Sequence, residues 1–256
     1  MFTALYRPFR AGRSPINGLK RQSRCYSSTS QISPTRSCPS CSAVLPLSTS
    51  PCPQCADLLR IPSALSYHSI LNLSQPIATS SSSTPTFDIP TELSTLPAHG
   101  YDINVRDLRQ RMLQRQKELH PDKYGSKGEA AIELARELSG RVNEAYSVLS
   151  DPLKRAEYIL STYQLATDET DSLTDPMLLA EILEAREELD SATTKEEVDT
   201  IRAANHDRVE TTIASIKEAF SEEPPNLAGA KLLSVQLKYW MGLEQAAKEW
   251  SPSIQL

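Results

Sequence analysis

Several common features are scarce in this sequence of 256 residues. Glycine occurs 8 times and aromatic residues make up 6% of the chain. With 39% hydrophobic residues rich in leucine and alanine, this composition favours helices in one or two domains and excludes a single large core. No apolar run reaches the roughly 18 residues that a transmembrane helix needs, so the sequence predicts no membrane partner.

Acidic residues are absent from the first 56 positions, and Asp57 is the first of them. The same segment carries arginine and lysine among many serines and threonines, which is typical of a mitochondrial transit peptide. A secretory signal is a poorer match because an apolar core of about 7 to 15 residues is missing. A basic nucleic-acid-binding arm is the other alternative.

The sequence SRCYSS, residues 23–28, resembles a matrix-protease site with cleavage after Tyr26. Residues 1–26 are therefore the predicted presequence, and the mitochondrial matrix is the predicted location. Removing the six positive residues of this segment lowers the net charge from −5 to −11. A chain this acidic is not expected to bind nucleic acid.

The cysteines that remain after that cleavage form two C-x-x-C pairs separated by ten residues: Cys38 with Cys41, and Cys52 with Cys55. Four thiolates at this spacing can surround one ion tetrahedrally, and soft sulfur ligands favour zinc first and iron or an iron–sulfur centre second. Two disulfides are the alternative, which a reducing matrix disfavours. The prediction is a structural zinc site in residues 37–60, with no histidine or glutamate nearby to make the metal catalytic.

Two helices are predicted on either side of the tripeptide His120-Pro121-Asp122. The first follows Asn104 as its N-cap and carries an apolar stripe of Val105, Leu108, Met112 and Leu119. Proline at position 121 ends this helix. The second runs from about 128 to 149, with Ile132, Ala135, Leu138, Val142, Ala145 and Leu149 on one face. The tripeptide is thus expected at the exposed tip of a helical hairpin.

His120 and Asp122 have two interpretations, an acid–base pair or a shape that another protein recognises. Catalysis requires a pocket and a nucleophile or metal, which a loop tip does not supply. Basic residues on the preceding helix favour docking of an acidic partner instead. Such a hairpin resembles a J-domain, which stimulates ATP hydrolysis by DnaK-type chaperones. The resemblance implies a chaperone contact made by His120, Pro121, Asp122, Arg106, Arg109, Arg111, Arg115 and Lys117.

The region before the hairpin contains an insertion. Residues 75–86 are rich in serine, threonine and proline, and prolines continue to about residue 98, so the sequence predicts a loop. The short apolar piece Tyr67–Leu73 resembles the first helix of a J-domain. The domain is predicted to span residues 64–160, with the insertion at about 75–99.

Three further helices are predicted after an acidic loop at residues 166–175, at about 176–191, 195–221 and 226–249. Pro176 suits a first helical turn, and the sequence EEPPN breaks the last two helices apart. On the first of these helices, Leu178, Ile182, Ala185 and Leu189 share one face. These helices are expected to form a three-helix bundle in residues 172–252.

A second ridge on the first bundle helix, Leu179 with Leu183, is either additional core or a partner surface. A J-domain joined to such a bundle through VNEAYSVLSDPLKRAEYIL resembles the HscB family, called Jac in fungal mitochondria. These proteins are co-chaperones of iron–sulfur cluster assembly. The expected fold is all-α: a J-domain hairpin and a C-terminal three-helix bundle, with a small N-terminal tetracysteine metal knuckle.

The resemblance implies two partners, a mitochondrial DnaK-type chaperone and an IscU-type iron–sulfur scaffold protein. The expected scaffold-binding residues are Leu178, Leu179, Leu183, Glu184, Glu187, Glu188 and Tyr239. Tyr239 is alternatively a core aromatic. No catalytic site of its own is expected, since a zinc-dependent enzyme would need substrate-facing histidine or glutamate beside the cysteines. A mitochondrial J-protein with another client, in protein import or refolding, is the alternative function.

Overall fold

The computed structural model of this chain describes residues 34–79, 86–165 and 175–251. Eight α-helices dominate these residues: α1 Tyr67–Ile70, α2 Ile89–Ser94, α3 Val105–Leu119, α4 Glu129–Ser150, α5 Pro152–Thr162, α6 Pro176–Ser191, α7 Lys195–Ser221 and α8 Leu227–Glu249. Two short antiparallel pairs complete the secondary structure, β1 Thr35–Ser37 with β2 Val44–Pro46, and β3 Ala78–Thr79 with β4 Thr86–Phe87. The all-α expectation is confirmed. Across the described residues, no helix combines the length and apolar character needed to span a bilayer.

Polar side chains encoded just before the helices determine where those helices begin. Asn104 Oδ1 accepts the Arg106 amide at 3.0 Å at the start of α3, as predicted. Asp151 caps α5 in the same way, and Pro152 occupies its first position. At α7, Thr194 begins a capping box in which its hydroxyl accepts the amide of the glutamate three residues later. Each cap satisfies amides that lack a partner within the helix.

Helices α3 and α4 form the predicted hairpin around a core that includes Leu108, Leu119, Leu138 and Val142, all buried. Segment 58–65 and α1 pack against the same core. One member of the predicted stripe is misplaced, because Val105, the first residue of α3, is exposed. The connection between the two helices, residues 120–128, therefore joins two helices that are packed against each other.

The insertion is only partly a loop. The composition predicts a loop up to about residue 98, but α2 lies at Ile89–Ser94 and a 3-10 turn at Pro97–Gly100. Asp88 caps α2, and Leu93 and Glu92 are fully buried. Glu92 accepts hydrogen bonds from three serine hydroxyls of the α1 region, which replace its lost hydration: Ser66, Ser69 and Ser74.

The insertion also joins the hairpin to the bundle. Tyr101 and Leu93 share a core with Ile159 of α5 and Phe220 of α7. His99 Nδ1 lies 2.7 Å from the Phe220 carbonyl oxygen. Burial of these apolar side chains in one cluster gives the hairpin region and the bundle a common core.

The bundle matches the three predicted helices. Ala185 and Leu189 of α6 pack with Val198 of α7 and with Trp240 and Leu243 of α8. The acidic loop preceding α6 and the predicted presequence with its Tyr26 cleavage site lie outside the described residues.

Candidate docking surfaces and metal centre

The His-Pro-Asp tripeptide occupies the turn between α3 and α4. His120 has extended backbone angles, which end α3, and a 3-10 turn runs from Pro121 to Lys127. The Asp122 amide donates to His120 Nδ1 at 3.3 Å, so the imidazole accepts a backbone hydrogen bond from the first residues of the turn. The Asp122 side chain is 90% exposed. A carboxylate in this position is available to a cation on a partner.

Tyr124, which sequence analysis did not single out, anchors the tripeptide turn. Its side chain is buried in the hairpin core, and its hydroxyl donates to the Glu118 carbonyl at 2.9 Å. The Lys127 ammonium lies 5.7 Å from the centre of its ring. The only sequence signal was an aromatic residue two positions after the tripeptide. The turn is therefore stabilised by packing of the Tyr124 side chain as well as by backbone hydrogen bonds.

Four of the five basic residues predicted on α3 are exposed: Arg106, Arg109, Arg111 and Lys117. Arg111 Nη1 also donates to the Asn72 carbonyl at 2.5 Å. These charges and Asp122 lie on one helix and the turn that follows it. They form a polar surface, called the tip surface below, whose role in chaperone binding stays a prediction.

Arg115 departs from that prediction, because its side chain is only 4% exposed. Its Nη1 donates to the Ser50 carbonyl at 2.6 Å and its Nη2 to the Ser48 carbonyl at 3.3 Å. Glu118 Oε2 lies 3.2 Å from Nη1. Burial of the guanidinium lowers the pKa of Arg115, and the Glu118 carboxylate opposes that effect. Arg115 is a joint between α3 and the cysteine segment, and not a free docking charge.

The four cysteines lie in two knuckles with matching hydrogen bonds. In the first, the Cys38 carbonyl oxygen accepts from the Ser42 amide at 2.8 Å. In the second, the Cys52 carbonyl oxygen accepts from the Ala56 amide at 2.9 Å. The residue after each second cysteine has positive φ, 60° at Ser42 and 55° at Ala56. This repeated turn directs both thiols of each knuckle to the same point.

The four sulfur atoms fit a tetrahedral metal site. They all lie within 4.8 Å of one another, with Cys38 Sγ 3.5 Å from Cys55 Sγ and Cys41 Sγ 3.6 Å from Cys52 Sγ. Four Zn–S bonds of about 2.3 Å at tetrahedral angles place sulfurs about 3.8 Å apart. The pKa shifts of three of the thiols differ in direction: hydrogen bonding from the Cys55 amide contributes most to lowering the pKa of Cys52 to about 7. Against backbone hydrogen bonds at Ala43 and Asp57, burial and the neighbouring thiols raise the pKa of Cys41 and Cys55.

The cysteine segment is attached to the tip surface at a second point. Lys127 Nζ donates to the Ala56 carbonyl at 2.7 Å. Ala56 follows the second knuckle directly, and Lys127 ends the turn that begins at Pro121. With Arg115, this contact connects the four-cysteine segment to both ends of the tripeptide region.

The bundle exposes large apolar side chains on two of its helices, α6 and α8. Leu179 is 40% exposed and Leu183 54%, and Tyr239 of α8 is 40% exposed. Leu178 is partly buried against the bundle core, so it contributes to that core as well. The exposure of Tyr239 excludes its alternative as a core aromatic, a position that Trp240 holds at 1% exposure. We call the exposed set the ridge surface; the three acids of α6 predicted with it, Glu184, Glu187 and Glu188, are also exposed.

Comparisons with known proteins agree with this architecture. A family model described as the HSCB C-terminal oligomerisation domain matches residues 174–248. The chain is 30% identical over 162 residues to the J-type co-chaperone JAC1, mitochondrial, of Saccharomyces cerevisiae, covering 61% of this chain and 83% of that protein. It is 32% identical over 123 residues to the iron-sulfur cluster co-chaperone protein HscB homolog of Arabidopsis thaliana, covering 48% of this chain and 49% of the relative.

A solved structure shares the fold. The crystal structure of human co-chaperone protein HscB superimposes with a TM-score of 0.65 at 22% identity, covering 84% of this chain and 98% of that one. The chain spans most of the yeast relative but about half the length of the plant relative. Together with the tripeptide hairpin and the three-helix bundle, the match to the yeast protein shows that this chain belongs to the HscB/Jac-type family of co-chaperones.

Proposed function

We propose that this chain binds an IscU-type iron–sulfur scaffold through its ridge surface and stimulates a mitochondrial DnaK-type chaperone through its tip surface. The observation that carries the proposal is the coexistence of these two surfaces on one chain: an exposed Asp122 in the turn after a helix with exposed basic residues, and exposed Leu179, Leu183 and Tyr239 on the bundle. Apolar and aromatic anchors dominate the energetics of protein interfaces. The names of the yeast and plant relatives support a co-chaperone role.

In this proposal, the chain acts by bringing two partners together. The bundle holds the scaffold, and the tripeptide engages the ATP-bound chaperone, whose hydrolysis of ATP closes it on a scaffold segment. Tethering both partners to one chain raises their effective concentration without chemistry by the chain itself. Cluster transfer from the scaffold is the expected outcome.

The tetracysteine centre is proposed to hold zinc in a structural role, through Cys38, Cys41, Cys52 and Cys55. Bound zinc would supply folding free energy to a segment too small for a large core. Elemental analysis of the purified chain should give about one zinc per chain. Iron instead of zinc would contradict the metal assignment while leaving the two docking surfaces in place.

The proposed location is the mitochondrial matrix, with residues 1–26 as the presequence. Mitochondrial placement is supported by the acid-free, basic N-terminus and by the mitochondrial yeast relative. Import of the full chain into isolated mitochondria, followed by N-terminal sequencing, should give a product that begins at Ser27. A full-length product outside the matrix would contradict this location.

Pull-down of the chain by purified mitochondrial iron–sulfur scaffold tests the proposed client. The wild type should bind, and a Leu179→Ala/Leu183→Ala variant with the wild-type circular dichroism spectrum should not. Failure of the wild type to bind would favour a J-protein with another client. Loss of folding in the variant would instead place the two leucines in the core, and Tyr239→Ala then tests the same surface from α8.

A further inference from the structure

The two halves of α6 are held differently. Its fully buried residues, Ala185 and Leu189, both lie in the C-terminal half. The N-terminal half carries the exposed leucines and packs on the bundle through Leu178 and Ile182, which are only partly buried. A helix half with few fully buried side chains has lower local stability. The position of the leucine anchors therefore depends on other contacts of this half.

Arg208 of α7 contacts both helices that carry the ridge surface. Its Nε donates to Glu181 Oε1 at 2.8 Å. Glu181 is two residues from each leucine anchor of α6, so it lies on the opposite side of that helix from both leucines, and its ion pair with Arg208 fixes how the helix is rotated against α7. Its guanidinium carbon lies 5.1 Å from the centre of the Trp240 ring, and Trp240 follows Tyr239 on α8. One side chain thus joins the two segments that present the anchors.

The contact with α8 is reinforced from the same face of α7. Asn205, three residues before Arg208, donates its Nδ2 to the Trp240 carbonyl at 3.0 Å. Both the backbone and the ring of Trp240 are therefore fixed by α7. A guanidinium can stack its plane on an aromatic ring and donate from its edge at the same time, which an ammonium cannot do.

We propose that Arg208 is a positioning residue that sets the spacing between the α6 leucines and Tyr239 in the ridge surface. The inference rests on the proposed function, since it specifies how the scaffold-binding surface is held in shape. Arg208 acts through Glu181 and Trp240 and needs no contact with the scaffold. Glu181, an acid without a role in the sequence interpretation, becomes the α6 end of this clamp.

Arg202 provides a matched control on the same helix. Its Nη2 donates to Glu244 Oε1 of α8 at 3.0 Å, and its Nη1 lies 3.8 Å from Asp199 Oδ1. Its side chain is 38% exposed, against 30% for Arg208. The first ion pair joins α7 to α8 and the second lies within α7, so neither involves α6. Arg202→Gln removes a comparable charge from the bundle and leaves the proposed clamp intact.

Calorimetric titration of the scaffold into the full chain tests the proposal. Arg208→Gln should weaken binding about 5- to 10-fold, a loss within the range of coupled contacts, whereas Arg202→Gln should change it less than about twofold. Arg208→Lys, which keeps the charge but not the planar stack, should fall between the wild type and Arg208→Gln. Glu181→Gln combined with Arg208→Gln should bind no more weakly than Arg208→Gln alone, because both changes break the same clamp.

A second measurement follows the clamp in the free chain. The chain has two tryptophans, so 5-fluorotryptophan labelling gives two fluorine resonances. Arg208→Gln should shift the Trp240 resonance and speed amide exchange in residues 176–184. Arg202→Gln should do neither. These readouts do not require scaffold, and denaturant unfolding of both variants checks that the bundle remains folded.

Three outcomes overturn the inference. Wild-type affinity in a folded Arg208→Gln variant would remove the positioning role, and so would equal losses for Arg208→Gln and Arg202→Gln. Unchanged exchange in residues 176–184 would show that the ion pair does not hold α6. If the wild-type chain does not bind scaffold in the calorimetric titration, the proposed function itself fails, and the binding role of Arg208 fails with it. That result differs from a failure of the positioning role alone, in which the wild type binds and Arg208→Gln binds equally well.

Discussion

The tip surface and the ridge surface are built in opposite ways. At the tip, polar groups are exposed on a turn that is fixed from beneath by Tyr124 and by the Arg115 joint. On the ridge, apolar side chains are exposed on a helix half whose own packing is only partial. Charge complementarity gives orientation and fast association, whereas apolar anchors supply most of the binding free energy. Under the proposed function, this difference predicts a brief, directed contact at the tip and a longer-lived contact on the ridge.

The largest expected effect is the loss of the tip carboxylate. Asp122→Asn keeps the shape of the side chain but removes its charge, and loss of one partner of a charged interface pair costs about 2 to 5 kcal/mol. Stimulation of the chaperone ATPase should disappear while scaffold binding is unchanged. Single-turnover ATP hydrolysis measures the first and pull-down the second. Asp107→Asn, an exposed acid on α3, is the control, and retained stimulation by Asp122→Asn would contradict the J-domain assignment.

Removal of the ridge leucines should give the reciprocal result. Leu179→Ala with Leu183→Ala removes two apolar anchors, for a loss of about 2 to 4 kcal/mol in scaffold binding. Stimulation of the chaperone without scaffold should stay at the wild-type level. Leu113→Ala, which truncates an exposed leucine on α3, controls for general surface effects. Equal scaffold affinity for the folded double variant and the wild type would exclude this ridge as the binding site.

The free energy of unfolding of the chain should fall in acid because of His68 of α1. This residue is fully buried, its Nε2 lies 2.9 Å from the Gly100 carbonyl oxygen, and burial lowers its pKa from 6.5 to about 4. The unfolded chain binds a proton first as the pH falls, so this contribution is complete above about pH 6.5 and is lost towards pH 4. The free energy of unfolding should drop by about 2 to 3 kcal/mol between about pH 7.5 and pH 4.5 through this group.

Denaturant unfolding of the wild type and of His68→Gln at the two pH values isolates that contribution. The glutamine retains a donor for the Gly100 carbonyl but does not titrate, so the variant should lose less stability in acid. Other titrating groups, including the cysteines, cancel in the difference. The same pH dependence in both proteins would contradict a buried neutral imidazole. If the variant does not fold, the pKa of His68 measured by NMR decides the same question.

A smaller effect is expected at the joint below the tip. Arg115→Gln leaves the carbonyls of Ser48 and Ser50 with fewer donors, which should cost about 1 to 3 kcal/mol of stability. Amide exchange should rise in the cysteine segment and in the C-terminal part of α3. Arg109→Gln, on the exposed side of α3, should change neither. If Arg115→Gln instead removes chaperone binding without loss of stability, Arg115 is a docking charge after all.

The helices were predictable where periodicity and caps agreed. Asn104 and Pro176 gave the starts of α3 and α6, and the apolar spacing of α4 gave its buried face. These signals are local, because 3.6-residue periodicity and capping depend on neighbouring positions. The tetracysteine cluster was also predictable, since two C-x-x-C knuckles separated by ten residues can bring four thiols to one point.

What the sequence did not reveal depends on distant contacts. Arg115 has the same sequence context as the exposed arginines of α3, and it is buried because Ser48 and Ser50 cover it from a segment more than 60 positions earlier. Helix α2 was hidden in a composition typical of loops, although Asp88 and Pro90 encode its start. Its stability comes from Leu93 and the serine bonds to Glu92, which only the folded chain supplies.

In the proposed function, one chain joins chaperone and scaffold through two separate surfaces. The direct measurement is ATP hydrolysis by the chaperone with scaffold present, comparing the wild type with an equimolar mixture of Asp122→Asn and the Leu179→Ala/Leu183→Ala variant. Each variant keeps one surface, so the mixture supplies both surfaces on different molecules. The wild type should give joint stimulation at low concentration, and the mixture should give none beyond the separate effects of its two variants. Equal stimulation by the mixture and the wild type would contradict the proposed function.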